Sequence, residues 1–277
     1  MIYNQSKEKT MKKIFMMGAL LLAVVCAAAD NVIDLSVPQA WVGKNFVEVG
    51  AGTLKAVPKR GIFAVSSKSI PVDDKHTYNF SGTLYVPEGK NEYLVHICYQ
   101  MFDANKRFIA QVNAVSKPGS LAELAAPVKK GDNTFKIKTN EKWKMGSNFN
   151  CIIGFNVNEG KLSRDNSTGY IKSVLQNGDT MTVTLSKPIH KDYPAGTKVR
   201  IQQRTFPYLT VYIIRSASGK EIHFGRELKK SQFWSETAYI RPLIITRMQQ
   251  QRIPPHRGGA DVSTLLKNLK LTIKEIK

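Results

Sequence analysis

Residues 93–102 read YLVHICYQMF, a run in which most side chains are apolar or aromatic. Asp103-Ala104-Asn105-Lys106 offers a turn, and the strand-like pattern resumes over 107–115, so this stretch predicts a β-hairpin. Further short runs rich in Val, Ile, Thr, Phe and Tyr occupy 81–86, 135–138, 152–157, 181–185, 198–201, 209–214 and 239–245. Only 120–126 and 261–269 have a pattern compatible with a helical turn or two. The sequence therefore predicts an all-β sandwich or barrel.

Charge is the main compositional feature of the chain. Its 277 residues contain 41 Lys and Arg against 21 Asp and Glu, a formal net charge of +20, and only 3 Cys. This composition excludes a disulfide-rich scaffold and a disordered basic tail, and it leaves enough chain for a full hydrophobic core. Residues 30–125 are close to neutral, so the excess positive charge follows residue 125. We therefore expect an anionic partner.

The amino-terminal segment resembles an export signal. Met11-Lys12-Lys13 precedes an apolar run over 14–25, and small residues lead to Ala29. The run is too short to span a membrane, so residues 1–29 are predicted to be a leader and signal peptide. The mature protein would be periplasmic, extracellular or on the cell surface, with lipid anchoring through Cys26 as the less favoured alternative. Export also argues against nucleic acid as the partner.

Two separated stretches resemble the galactose-binding-like jelly-roll sandwiches of secreted carbohydrate-binding modules. The first contains NFSGTLY at 79–85 and the turn at 103–106 followed by Phe108-Ile109, although Asn105 stands where those modules usually have Gly. The second contains 233–244 and the closing strand at 265–276. The resemblance implies a β-sandwich that binds carbohydrate. It also implies a structural calcium ion, for which Glu48 and Asp261 are the candidate ligands.

The intervening segment resembles a small β module found in bacterial surface and phage-associated proteins. The matching pieces include GDNTFKI at 131–137, WKMG at 143–146, NGDTMTV at 177–183 and YPAGTKV at 193–199. We therefore predict a jelly-roll β-sandwich with an inserted small β-barrel-like module. The predicted parts are a leader at 1–29, the first part of the sandwich at 30–125, the inserted module at 126–204 and the second part of the sandwich at 205–277.

No catalytic motif is recognisable in the sequence. The five histidines lack metal-ligand spacing, and there is no G-x-S-x-G motif. Glu221, Glu227 and Glu236 are the only acidic cluster in the second part of the sandwich, and we interpret them as solvated residues at strand ends. The protein is therefore predicted not to be an enzyme. Whether Cys98 and Cys151 pair is left open by the sequence.

Sugar binding needs aromatic rings for stacking and polar groups that bind hydroxyls or acidic groups. Candidate residues of both types lie in the basic part of the chain: Trp143, Tyr208, Arg226, Trp234, Tyr239, Arg247, Arg252, His256 and Arg257. For Trp143 and Trp234 a place in the hydrophobic core is the competing interpretation. The leading hypothesis is a secreted, non-catalytic protein that binds an anionic polysaccharide.

Two other hypotheses remain open. The alternative is a structural or adhesive cell-surface protein that assembles through the inserted β module. The third is an enzyme of carbohydrate breakdown with an unrecognised site, in which Glu236 would be the residue to test.

Overall fold

The computed structural model of the protein describes residues 30–56, 63–88, 93–144, 151–203, 207–216, 219–248 and 264–276, and the predicted signal peptide lies outside these ranges. The described chain forms three six-stranded antiparallel sheets. Its strands are β1 Asn31–Asp34, β2 Phe46–Gly50, β3 Thr53–Ala56, β4 Phe63–Val65, β5 Ile70–Pro71, β6 His76–Tyr85, β7 Tyr93–Phe102, β8 Phe108–Ile109, β9 Ala122–Glu123, β10 Thr134–Lys138, β11 Ile152–Phe155, β12 Asp165–Asn177, β13 Thr180–Leu185, β14 Lys198–Gln202, β15 Leu209–Ser216, β16 Glu221–Lys229, β17 Tyr239–Met248 and β18 Leu265–Glu275. One short α-helix, α1, spans Gln111–Ala114. Single 3-10 turns span Pro38–Ala40, Glu141–Trp143 and Lys230–Gln232. The predicted all-β fold is confirmed.

Two of the sheets pack face to face as a sandwich. The first sheet has the order β16-β6-β18-β3-β2, with β1 beside β18. The second has the order β15-β7-β17-β4, with β5 beside β17 and β8 beside β7. Successive strands from β15 to β18 alternate between the sheets, as in a jelly roll. Because side chains alternate across each strand, every second residue points into the shared core, for example Phe80 of β6, Tyr99 of β7 and Leu271 of β18.

The third sheet closes into a small barrel with its own core. Its order is β10-β13-β12-β11-β14-β9, and a bridge between Leu124 and Ile137 joins the two ends. The core contains Phe155 and Tyr193, whose rings stack with centroids 4.1 Å apart. In the chain the barrel lies between β8 and β15, while β7 and β15 pair directly in the sandwich. The barrel is therefore an insertion between two strands that are neighbours in space.

Several local predictions need correction. The segment 120–126 is not helical, because Ala122 and Glu123 pair with β14 as β9. Within 107–115 only β8 is a strand, and α1 follows it. A search for runs of apolar residues does not predict the long strand β12. Its inward positions include small residues such as Ser167 and Gly169, which are buried but are not large hydrophobic residues. Tertiary pairing, rather than local propensity, decides these segments.

Candidate functional site

Trp143 lies in the barrel core rather than at a binding surface. The residue is fully buried, and its indole Nε1 donates a hydrogen bond to the carbonyl of Ser120 at 2.8 Å. The Asn140 side chain accepts a hydrogen bond from the Lys142 amide and caps the turn that directs the ring inwards. The interpretation that Trp143 lies in the hydrophobic core is therefore correct, and the prediction that its ring binds sugar is wrong.

The other three candidate aromatic residues do not form one platform. Tyr208 is 3% exposed and packs in a small apolar cluster with Cys98, Leu243 and Ile245. Trp234 is half-buried against the sandwich core. Tyr239 is half-buried in β17, with the Lys106 ammonium group 6.0 Å from its ring centre. These rings occupy separate places in the sandwich, and none shares a surface with Trp143 in the barrel.

The predicted basic and metal-binding residues are only partly within the described chain. Arg226 is exposed on β16, and Arg247 belongs to β17 with a side chain outside the described part. Arg252, His256, Arg257 and Asp261 all lie outside the described residues. Glu48 is exposed on β2, and within the described ranges no three His, Cys, Asp or Glu side chains form a metal-binding group. The calcium site stays a prediction.

The strongest polar cluster lies where the barrel meets the sandwich. Asp103 is 4% exposed, and its Oδ1 accepts hydrogen bonds from the amides of Asn105 and Arg107, both at 2.9 Å. Its Oδ2 accepts from Arg107 Nε at 2.8 Å and from Arg164 Nη2, on the barrel side, at 2.6 Å. Burial on its own raises the pKa of Asp103, but these hydrogen bonds and both guanidinium groups outweigh burial and lower it.

Glu236 also belongs to this junction. Its Oε1 accepts a hydrogen bond from the Leu162 amide at 3.3 Å, and its Oε2 lies 4.0 Å from Arg164 Nη2. Glu236 has a φ of 63°, a left-handed conformation that costs energy in a residue with a side chain. The role of this carboxylate is therefore to hold the loop before β12 against the sandwich.

The same loop carries an apolar anchor across the junction. Leu162 is buried in the sandwich core although it belongs to the barrel segment. Ser163 donates its amide to the Asn113 carbonyl at 2.7 Å, and Asn113 Nδ2 donates back to the Ser163 carbonyl at 2.7 Å. The Arg200 guanidinium, 2% exposed, donates to the carbonyls of Asn158 and Lys161 and so supports the loop from the barrel side. We call Asp103, Arg164, Glu236, Leu162 and Ser163 the junction clasp.

A second polar cluster stabilises the barrel. Asp165 Oδ1 accepts a hydrogen bond from the Tyr193 hydroxyl at 2.9 Å and lies 3.2 Å from His190 Nε2. Asp165 Oδ2 lies 2.6 Å from Lys191 Nζ. Burial raises the pKa of Tyr193, and the adjacent Asp165 carboxylate raises it further. The cluster therefore holds a neutral phenol and an ionised carboxylate, which is a structural arrangement.

A cavity of about 370 Å³ opens on the barrel. Its polar lining includes Lys138 and Glu123, whose Nζ and Oε2 atoms are 2.6 Å apart, together with Lys198 and Asn140. The ion pair with Glu123 engages Lys138, which leaves Lys198 as the other charged side chain of the lining.

Cys98 and Cys151 do not form a disulfide. Cys98 is buried in the sandwich, and Cys151 is half-buried in the barrel. Burial raises the pKa of the Cys98 thiol to about 12, which makes it a poor nucleophile. Within the described ranges, no helix has the length and apolar character needed to cross a membrane.

Sequence reasoning missed the junction clasp. The sequence predicts Asp103 only as part of a turn, and no motif marks Arg164, Leu162 or Arg200. The residue type at position 103 is a weak signal. The carboxylate of an Asp at the start of a turn commonly accepts a hydrogen bond from the backbone amide two residues later, here that of Asn105. The contact between Asp103 and Arg164 joins residues 61 positions apart and has no local trace.

Comparison with known proteins gives few matches. The sequence matches no protein-family model and no curated protein. The solved structures that match include VP17, a capsid protein of bacteriophage P23-77, over 90% of this chain and 98% of that chain, with 8% identity and a TM-score of 0.17. They also include the VP16–VP17 complex of the two major capsid proteins of that phage, over 90% of this chain and 100% of that chain, with 8% identity and a TM-score of 0.18.

The hypothesis of a carbohydrate-binding protein is wrong, because the structure does not bring its candidate residues together at a surface. In this chain Trp143 and Tyr208, two of the rings needed for stacking on sugar, are buried. Because TM-scores this low mean that the backbones superpose poorly, the function has to be inferred from this chain's own geometry.

Proposed function

We propose that the chain is a non-catalytic structural protein that forms ordered assemblies with copies of itself. The observation that carries this proposal is the junction clasp, which joins the sandwich and the barrel into one block. Asp103 of the sandwich accepts a charge-assisted hydrogen bond from Arg164 of the barrel segment, and Leu162 of the same segment packs in the sandwich core. A block of fixed shape is what a repeated assembly needs, because a flexible joint between units adds an entropic cost to every contact.

Two further features support a structural role. The buried and half-buried carboxylates Asp103 and Asp165 are both engaged by several partners within the protein. The sequence of the barrel resembles β modules of bacterial surface and phage-associated proteins, in which a structural or adhesive role is expected. We further propose that the chain is not an enzyme and that it acts after export, at a surface outside the cytoplasm.

The experiment is sedimentation velocity on the full chain between about 1 and 100 μM, with negative-stain microscopy of the highest concentration. We expect the mean mass to rise with concentration and the particles to show a repeated subunit. A chain that sediments as a monomer throughout this range would overturn the proposal. Hydrolysis of a polysaccharide that is lost in Glu236→Gln would overturn the non-catalytic assignment.

A further inference from the structure

Strand β16 forms an open edge of the sandwich. It is the end strand of the first sheet and pairs with β6 along its whole length, from Glu221 beside Tyr85 to Lys229 beside Thr77. No other strand of the described chain pairs with β16. Most of its side chains are exposed, including both ends of the strand. An open edge of this length is a template for pairing with another strand.

The direction of the free backbone groups on β16 follows from two contacts. The Gly225 carbonyl accepts a hydrogen bond from the Tyr212 hydroxyl at 2.8 Å, and the Lys229 amide donates to Gln232 Oε1 at 2.8 Å. Both groups therefore point away from β6. Because the direction alternates along a strand, the odd-numbered residues of β16 direct their amides and carbonyls to the open edge. A carbonyl oxygen has two lone pairs, so Gly225 can accept a second hydrogen bond.

The sequence of β16 is complementary to itself when it is reversed. When two copies of β16 pair in antiparallel orientation about a two-fold axis at Gly225, odd-numbered residues lie opposite odd-numbered residues. In this register the amides and carbonyls that point to the open edge face each other. The register also puts Glu221 opposite Lys229, which carry unlike charges, and Ile222 opposite Leu228, which are both apolar. The pairs are Glu221 with Lys229, Ile222 with Leu228, His223 with Glu227 and Phe224 with Arg226.

Two of these pairs are favourable for a defined reason. Glu221 with Lys229 places opposite charges side by side on the outer face of the sheet, where cross-strand ion pairs stabilise the ladder. Phe224 with Arg226 places a guanidinium group beside an aromatic ring on the other face. Gly225 lies on the axis; within the chain, a Cβ atom at this position would lie 2.9 Å from the Ser81 Cβ atom of β6, so packing in the sheet favours Gly here. The sequence predicts Arg226 as a sugar ligand, whereas in this pairing it contacts Phe224 of the second copy.

The two other long edges of the sandwich lack this complementarity. Pairing of β2 about its central residue would place Glu48 against its own copy, which is unfavourable. Strand β15 carries a bulge between Thr210 and Tyr212, and a bulge interrupts regular pairing. Among the described edges, β16 is therefore the one suited to pairing with itself.

We propose that two copies of the chain associate through antiparallel pairing of β16 about Gly225, joining their first sheets into one continuous sheet. This rests on the proposed function and names the contact through which assembly begins. The interface is isologous, so it closes as a dimer, and growth beyond the dimer needs a second surface. About six backbone hydrogen bonds between the copies follow from the pairing of His223, Gly225 and Glu227 with their partners.

The test is the dimer dissociation constant measured by sedimentation velocity on the full chain and its variants. Lys229→Glu places like charges opposite each other twice in the dimer, and we expect the constant to rise on the order of tenfold. The double variant Glu221→Lys with Lys229→Glu exchanges the two charges and should recover part of the affinity, although it also removes the ion pair between Glu221 Oε1 and Lys267 Nζ, which are 2.6 Å apart. Lys55→Glu changes the net charge by the same amount away from β16 and is the matched control.

A second variant tests the backbone contacts. Glu227→Pro removes an amide that faces the open edge while leaving the hydrogen bonds to β6 intact, so the variant should fold and remain monomeric. An unchanged circular dichroism spectrum checks the fold. If the chain assembles but neither Lys229→Glu nor Glu227→Pro weakens the dimer, the β16 interface is overturned and the structural function stands. A wild-type chain that never assembles overturns both.

Discussion

Arg164 Nη2 lies 2.6 Å from Asp103 Oδ2 and joins the barrel to the sandwich. Asp103 is 6% exposed at its side chain and Arg164 is 32% exposed, so water screens this ion pair less than a surface pair. The same carboxylate organises the turn after β7 through two backbone amides. One side chain therefore couples a local turn to the position of an inserted unit.

Replacing Asp103 should uncouple the two units. Asp103→Asn removes the negative charge, which leaves the Arg107 guanidinium without its counter-ion and leaves Arg164 with only the Glu236 carboxylate, 4.0 Å away. We expect a lower melting temperature and, in differential scanning calorimetry, separate transitions for sandwich and barrel. Asp192→Asn, at an exposed pair with Lys129, is the control and should leave the melting temperature nearly unchanged. Equal effects of the two variants would contradict a special role for Asp103.

The barrel should lose stability in acid because of Asp165. Burial raises the pKa of this carboxyl, but hydrogen bonds from Lys191 and Tyr193 and the charges of Lys191 and His190 lower it below the usual value of 3.8. A lowered folded-state pKa contributes stability that is complete above the ordinary pKa and is lost as the pH falls through the folded-state pKa. Urea unfolding at pH 7 and pH 3 measures this loss.

Asp165→Asn provides the comparison for that measurement. The variant should be less stable than the wild type at pH 7, and its stability should fall less between pH 7 and pH 3, because this titrating group is gone. Asp179→Asn, on the turn between β12 and β13, serves as the control for a carboxylate outside the cluster. An Asp165→Asn variant with the wild-type acid profile would show that the cluster does not control acid stability.

Trp143 should be among the most costly residues to truncate. Trp143→Ala empties a site in the barrel core and removes the hydrogen bond to the Ser120 carbonyl, with an expected loss of about 3–5 kcal/mol. Trp234→Ala, at a half-buried ring, should cost less. Urea unfolding followed by far-ultraviolet circular dichroism measures both without relying on Trp fluorescence. A larger loss for Trp234→Ala would contradict the core position of Trp143.

Gly169 should resist substitution because of backbone contact. A Cβ atom at Gly169 would lie 2.5 Å from the Lys187 amide nitrogen, so β12 or the segment at Lys187 must shift. We expect Gly169→Ala to cost about 1–3 kcal/mol in the free energy of unfolding. Gly50→Ala has no atom within 4 Å of the new Cβ and should change stability by less than about 0.5 kcal/mol. Similar losses would show that the barrel relaxes around the added methyl group.

The two thiols should differ in reactivity. Cys98 is fully buried with a pKa raised to about 12, whereas Cys151 is half-buried. In the folded protein a disulfide reagent at pH 8 should modify Cys151 first and Cys98 only after unfolding, since the thiolate is the reactive form. Cys151→Ser should remove the early reaction. Both chains carry Cys26→Ser, so that Cys98 and Cys151 are the thiols measured, and rapid modification that persists in Cys151→Ser would contradict the buried position of Cys98.

Much of the fold could be predicted from local patterns. Strand β7 was expected at 93–102 and is found there, because a run of apolar and aromatic residues is typical of a strand buried on both faces. The pattern does not predict strand β16, because EIHFGRELK interrupts its apolar positions with charges. Those charges are explained by the position of β16 at an edge, where one side of the strand meets solvent.

The amino-acid sequence by itself determined the all-β class, because side-chain alternation and turn chemistry act over a few residues, whereas the inserted module was predicted only from a resemblance. Only the tertiary structure decided which aromatic rings are buried: Trp143, in a sequence that resembles a loop, is enclosed by the barrel. It also decided that Arg164 meets Asp103 and that Leu162 enters the sandwich core. Contacts between distant residues depend on how whole sheets pack, and no local pattern of residues records that packing.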